Sequence, residues 1–140
     1  MILNILLNER INTMPVYKSG EDYLETILIL SKNSSYVRSI DIATKMGYSK
    51  ASVSRAVGIL KSEGLIVIGN DGEIKLTEAG LKKASSVYDK HTLLKTFFME
   101  CLKVSESTAE QDACKIEHVI SEETCIKLKN FLNTYNDNNL

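Results

Sequence analysis

The chain has 140 residues, 44% hydrophobic and 25% charged, with a formal net charge of −1. That composition is ordinary for a globular protein and excludes a disordered chain, a membrane bundle and a polycation that coats nucleic acid as a whole. Charge is segregated, however: Tyr36 to Glu63 carries a net +3 and Val87 to Leu140 a net −3, so any nucleic-acid binding must come from a local basic surface in the middle of the chain.

Residues 1–13 read as an N-terminal extension, and Pro15 keeps Met14 out of a helix. Ile2, Ile5, Leu6 and Leu7 suit a short helical stretch against a neighbour. No basic start and no small-residue cleavage site accompany them, so no signal peptide is expected. From Gly20 to about Lys32, Tyr23, Leu24, Ile27, Leu28 and Leu30 form an apolar stripe at helical spacing. Glu21, Asp22 and Glu25 occupy the opposite face.

Ser39 is placed to cap a short helix, Ile40 to Met46, with Ile42 and Ala43 facing inward. Gly47 and Tyr48 make a tight turn. Ser49 caps a second helix, Lys50 to about Glu63, whose Val53, Val57 and Leu60 share one face. Gly64 stops it. Two short helices about a glycine turn form a helix-turn-helix. Leu65 to Ile68 then reads as a strand, Gly69-Asn70-Asp71-Gly72 as a hairpin turn and Glu73 to Leu76 as the return strand. A hairpin in that position is the wing of a winged helix-turn-helix. A long helix follows from Thr77 through Met99, with Gly80 a point where it could break. Further helices are expected over about Ser107 to Ile120 and Ser121 to Tyr135, with a polar tail from Asn136. The apolar surface of these helices suits a homodimer interface.

The second helix of the pair opens Ser49-Lys50-Ala51-Ser52-Val53-Ser54-Arg55. Its outward side chains are small, hydroxylated or cationic, which lets a helix enter the major groove. Ser49 and Ser52 can hydrogen-bond phosphates or base edges, Lys50 suits phosphate, and Arg55 can bridge the two acceptors of guanine. The same residues also suit a capped, solvated helix face, and for Ser49 both roles are compatible. The wing turn is acidic and is not expected to hold phosphate strongly.

The two histidines, His91 and His118, fall in the acidic C-terminal third. Cys114, Glu117 and His118 stand at i, i+3 and i+4 of one expected helix and so share a face. Thiolate, carboxylate and imidazole together make half of a metal site. Asp22 and Glu25 offer carboxylates from the first helix, and His91 an imidazole from the long helix. Spacing alone leaves a second reading open, a small core cysteine beside a solvated Glu117–His118 pair. The cysteines Cys101, Cys114 and Cys125 are odd in number and lack paired spacing, so reduced thiols and a cytoplasmic location are expected. No apolar run is long enough to cross a membrane.

The span from about Tyr17 to Tyr135 resembles the diphtheria-toxin-repressor and manganese-transport-regulator family. The resemblance rests on Glu21 to Ile27, Ser39 to Leu65, Leu76 to Gly80, His91 to Leu94 and Cys114 to Ser121. It implies a mainly α fold: a winged helix-turn-helix DNA-binding domain with a small two-stranded wing (14–84), then an all-helical metal-binding and dimerisation domain (85–140). By the same resemblance Asp22 stands where the manganese branch has an aspartate ligand and the iron branch a methionine. Glu25 matches a manganese-branch ligand, and His91, Glu117 and His118 match ligands of both branches. Cys114 stands where the iron branch has cysteine and the manganese branch glutamate. Ser49, Ala51 and Arg55 fall where the iron branch touches DNA.

Lys95 and Glu110 depart from the iron branch, replacing an acidic and a histidine ligand of its ancillary site, which Glu25 and Glu110 are placed to compensate around His91. The implied function is a dimeric repressor that binds a double-stranded, inverted-repeat operator with Mn(II) or Fe(II) bound (Co(II) or Zn(II) also suit the donors) and controls metal uptake. The alternatives are a winged-helix regulator whose metal site has decayed and a metal-dependent hydrolase. No nucleophile elbow, phosphate loop or His-Glu-x-x-His supports the hydrolase, so no enzyme is expected.

Overall fold

A computed structural model describes residues 19–139. The readings for residues 1–13 and for Met14–Pro15 lie outside the described residues. The chain divides into two compact units between Ser85 and Ser86, a point inside one long helix.

The first unit begins with helix α1, which covers 19–33 of the described residues. It buries Tyr23, Leu24, Ile27 and Leu28, the stripe its sequence spacing requires. Helix α2 spans Ser39–Met46 and ends on Gly47, whose φ of 70° is left-handed. Only glycine adopts that conformation without a Cβ penalty, and it turns the chain sharply into the next helix. Helix α3 spans Lys50–Ser62 and buries Val53, Val57 and Leu60. Strands β1 (Ile66–Ile68) and β2 (Ile74–Leu76) pair antiparallel, with Ile66 opposite Leu76 and Ile68 opposite Ile74. Ile66 and Ile74 turn into the core, while the Ile74 amide donates to Val37 O at 2.8 Å and ties the hairpin to the segment before α2.

Helix α4 spans Glu78–Glu100 without interruption. Thr77 caps it, accepting a hydrogen bond from the Gly80 amide at 3.1 Å. Gly80 does not break the helix; it brings it against the hairpin. A Cβ there would stand 1.9 Å from the carbonyl oxygen of Leu65, so a side chain is excluded by backbone contact.

The second unit holds the rest of α4 with α5 (Glu106–Ile116) and α6 (Glu122–Asn138). Ser105 and Ser121 cap α5 and α6, accepting from the Thr108 and Thr124 amides respectively. The core is Val87, Leu94, Ala109, Ala113, Cys125 and Leu132. Phe97 of α4 meets Phe131 of α6 edge-on at 6.0 Å.

Both strands start one residue later than the sequence expectation, and three helix boundaries differ for reasons visible in the hydrogen bonding. Arg38, not Ser39, is the N-cap of α2, because the Asp41 carboxylate accepts from the Arg38 amide at 2.8 Å and closes the first turn one residue earlier. Helix α5 stops at Ile116 rather than Ile120: the amides of Val119 and Ile120 both fold back on the Ile116 carbonyl to enter the Ser121 cap. The expected polar tail is helical as far as Asn138. Among the described residues no helix is long and apolar enough to cross a membrane.

Candidate metal centre and nucleic-acid interface

The nucleic-acid candidates lie on the first turns of α3. Ser49 is the N-cap; its Oγ accepts from the Ser52 amide at 3.2 Å and its hydroxyl donates to Ser52 Oγ at 3.0 Å. Both serines keep hydrogen-bonding capacity outward, because a hydroxyl combines one donor with two acceptor positions. Lys50, Ala51, Ser52, Ser54 and Arg55 are all exposed, while Val53 between them is buried. Anchored by one buried face, the first turns of the helix present a small, cationic surface.

The metal candidates of the second unit converge on His91. Its imidazole lies in α4 and its side chain is only 11% exposed. On one side Glu117 Oε2, at the C-cap of α5, approaches Nδ1 at 2.7 Å. On the other Glu110 Oε1 approaches Nε2 at 3.0 Å. Cys114 Sγ stands 3.7 Å from Nδ1. Glu110 and Cys114 are four residues apart on α5, so both project toward α4. His118 follows in the turn after α5, with Nε2 3.3 Å from Glu117 Oε1. The ending of α5 at Ile116 does not remove Glu117 from this set, since its φ of −54° and ψ of −27° continue the helical direction.

Electrostatics match the geometry. The hydrogen bond to Glu117 is the largest influence on His91 and outweighs the opposing effect of burial. With the charge of Glu117 and the Glu110 contact it lifts the imidazole from 6.5 to about 9. In the metal-free protein His91 is therefore an imidazolium held between two carboxylates. Burial acts against ionisation of Glu110, but its contacts with Lys95 and His91 prevail and hold its carboxyl below the usual range.

The donors fit a divalent transition metal. One nitrogen, one oxygen and one sulfur of His91, Glu110 and Cys114 all lie within 4.8 Å of one another. Ligands of one tetrahedral ion stand about 3.5 Å apart, given bonds of roughly 2.0–2.3 Å, so small side-chain shifts suffice. Glu117 Oε1 is buried and accepts no hydrogen bond, a costly condition for a carboxylate oxygen unless a cation completes it. Borderline ions take such mixed imidazole, carboxylate and thiolate sets.

Of the six metal candidates read from the sequence, His91, Cys114, Glu117 and His118 come together within the second unit. Asp22 and Glu25 stand on α1 of the first unit, one turn apart, with Glu25 9% exposed. Glu110, which the sequence offers as a compensating carboxylate around His91, stands 3.0 Å from its Nε2.

Comparisons with known proteins agree with both halves. Residues 16–72 match the iron dependent repressor N-terminal DNA binding domain. Residues 77–138 match the iron dependent repressor metal binding and dimerisation domain. An uncharacterised HTH-type transcriptional regulator of Methanocaldococcus jannaschii is 33% identical over 121 residues, 86% of this chain and 97% of the relative. Diphtheria toxin repressor of Corynebacterium diphtheriae is 29% identical over 103 residues, 74% of this chain and 46% of the relative. Among solved structures, the manganese regulator SloR superposes with a TM-score of 0.74 at 34% identity, over 81% of this chain and 53% of SloR. The chain thus spans nearly all of the first relative but about half the length of the other two. With a DNA-binding half and a metal-binding half each matched in order, the chain belongs to the iron-dependent repressor family, whose members are transcriptional repressors rather than enzymes.

Proposed function

We propose that this chain is a metal-controlled repressor that binds a double-stranded, inverted-repeat operator as a homodimer when Mn(II) or Fe(II) is bound, and so limits metal uptake in the cytoplasm. The observation that carries the reading is the convergence of His91, Glu110, Cys114 and Glu117 around one imidazole. Asp22 and Glu25 enter the ligand set from the sequence resemblance. The ion supplies positive charge and fixed coordination geometry where the apo protein has the His91 proton beside the Lys95 ammonium.

The chain's own residues carry the rest. His91 must release its proton to offer a nitrogen lone pair, and Cys114 must ionise. Glu117 orients the His91 ring. The exposed Leu102, Val119, Ile126 and Phe131 of the second unit offer apolar surface that dimerisation would cover. In the dimer, two α3 helices reach successive major grooves only when held about 34 Å apart. Metal favours DNA binding to the extent that it favours that arrangement over others. On each half-site Ser49, Lys50, Ala51, Ser52 and Arg55 meet the duplex, with Arg55 reading guanine and Lys50 neutralising phosphate.

The test uses duplexes selected by the full-length protein from a random-sequence pool in the presence of Mn(II) or Fe(II). Wild type is expected to bind them with metal and to lose most affinity in chelator. His118→Ala and Cys114→Ala are expected to bind weakly in both conditions. Equal, metal-independent binding by wild type and both variants contradicts metal control while leaving DNA binding in place.

A further inference from the structure

Lys95 stands one helical turn after His91 on α4, and its side chain is 29% exposed. Its ammonium lies 3.0 Å from Glu110 Oε2 and 3.4 Å from Glu106 Oε1. Glu110 is therefore shared between two cations: Oε1 faces His91 Nε2 at 3.0 Å and Oε2 faces Lys95. Glu106 is largely exposed and flanks the ammonium from the first turn of α5.

This division of one carboxylate has a consequence for metal binding. A carboxylate with both oxygens free can chelate an ion, which suits ions of high coordination number. With Oε2 occupied by Lys95, Glu110 offers Oε1 alone. The corner then presents one imidazole nitrogen, one carboxylate oxygen and one thiolate sulfur, a small donor set with a sulfur in it. Ions such as Fe(II), Co(II) and Zn(II) accept thiolate and imidazole, whereas Mn(II) is bound best by several oxygens.

We propose that Lys95 is a metal-selectivity residue: by holding Glu110 Oε2 it biases the His91–Glu110–Cys114 corner toward Fe(II)-like ions and against Mn(II). The inference rests on the metal-controlled reading above and deepens it by choosing between its two ions. Lys95 is a positioning residue, acting through Glu110 rather than on the ion.

The test compares full-length, metal-free wild type with Lys95→Met, Lys95→Gln and Lys95→Arg. Each is titrated with Co(II), an air-stable probe for the Fe(II)-like class, and with Mn(II), against a fluorescent chelator. Wild type is expected to show a near-ultraviolet thiolate–Co(II) band that Cys114→Ala abolishes. In Lys95→Met, Mn(II) affinity is expected to rise about tenfold relative to Co(II) affinity, the size usual for changes to residues that orient a ligand. Lys95→Gln should follow Lys95→Met, and Lys95→Arg, which keeps the cation, should stay near wild type. An unchanged Co(II)-to-Mn(II) ratio in the Met and Gln variants overturns the role of Lys95 and leaves the repressor reading standing. A shift in Lys95→Arg as large as in Lys95→Met also overturns it, because the charge is then irrelevant. A wild type that binds neither ion overturns both readings.

Discussion

Raising the pH of the metal-free protein should weaken its second unit, and the size of the effect follows from His91. The imidazole is buried between Glu117 at 2.7 Å and Glu110 at 3.0 Å, which lifts it from 6.5 to about 9. The folded state therefore binds this proton more tightly than the unfolded state. The resulting stabilisation is fully present below pH 6.5 and disappears as the pH rises through about 9. At 1.36 kcal/mol per pH unit, the contribution is on the order of 3 kcal/mol. Urea unfolding followed by circular dichroism across that window, for wild type and His91→Gln, measures it. Wild type is expected to lose stability with rising pH and His91→Gln to show a much flatter profile. Identical profiles, or a wild type that gains stability with pH, refute the placement of a shared proton at His91. With a divalent ion in excess the trend should reverse, since coordination requires the unprotonated imidazole.

Four further outcomes are expected. Gly80→Ala would press a Cβ to within 1.9 Å of Leu65 O; a cost of about 1–3 kcal/mol, as for other overpacked contacts, should appear as a lower unfolding midpoint. Ser49→Ala removes the cap that accepts from the Ser52 amide and should cost about 1 kcal/mol in thermal unfolding, with weaker DNA binding measured by anisotropy. Arg55→Ala should relax selectivity at one base pair of a selected duplex by about 1–3 kcal/mol, whereas Lys50→Ala should weaken all duplexes alike and flatten the salt dependence.

Much of the first unit was legible in the sequence because its signals are local. Gly47 sits at the one left-handed turn between α2 and α3, and Ser49 caps α3 with its own hydroxyl. The buried positions Val53, Val57 and Leu60 follow directly from helical spacing. The start of α2 was misplaced because its cap comes from Asp41, three residues inside the helix, and not from the conspicuous Ser39. Gly80 was read as a possible break because its reason lies outside its own helix, in the carbonyl of Leu65.

In the candidate site, Cys114, Glu117 and His118 were visible as a spaced run and His91 as an imidazole from the long helix, but the contacts that join them were not. That His91 meets Glu110 and Glu117 at once depends on how α4 and α5 pack, and tertiary packing leaves no sequence period. The turn after Ile116 was missed because Glu117 to Ile120 has no glycine or proline to mark it. Lys95 was readable only as a departure from the family pattern; its grip on Glu110 comes from the packing of α4 against α5.

The most direct test of metal control is the metal affinity of the wild-type protein with and without a selected operator duplex. Coupling between two sites is reciprocal, so DNA must raise metal affinity by the factor through which metal raises DNA affinity. Titration calorimetry with Mn(II) or Fe(II), in the presence and absence of the duplex, is predicted to show tighter metal binding to the DNA complex by about 5–150-fold. Equal affinities in the two titrations would contradict the claim that the ion at His91 and Cys114 governs the helix that begins at Ser49.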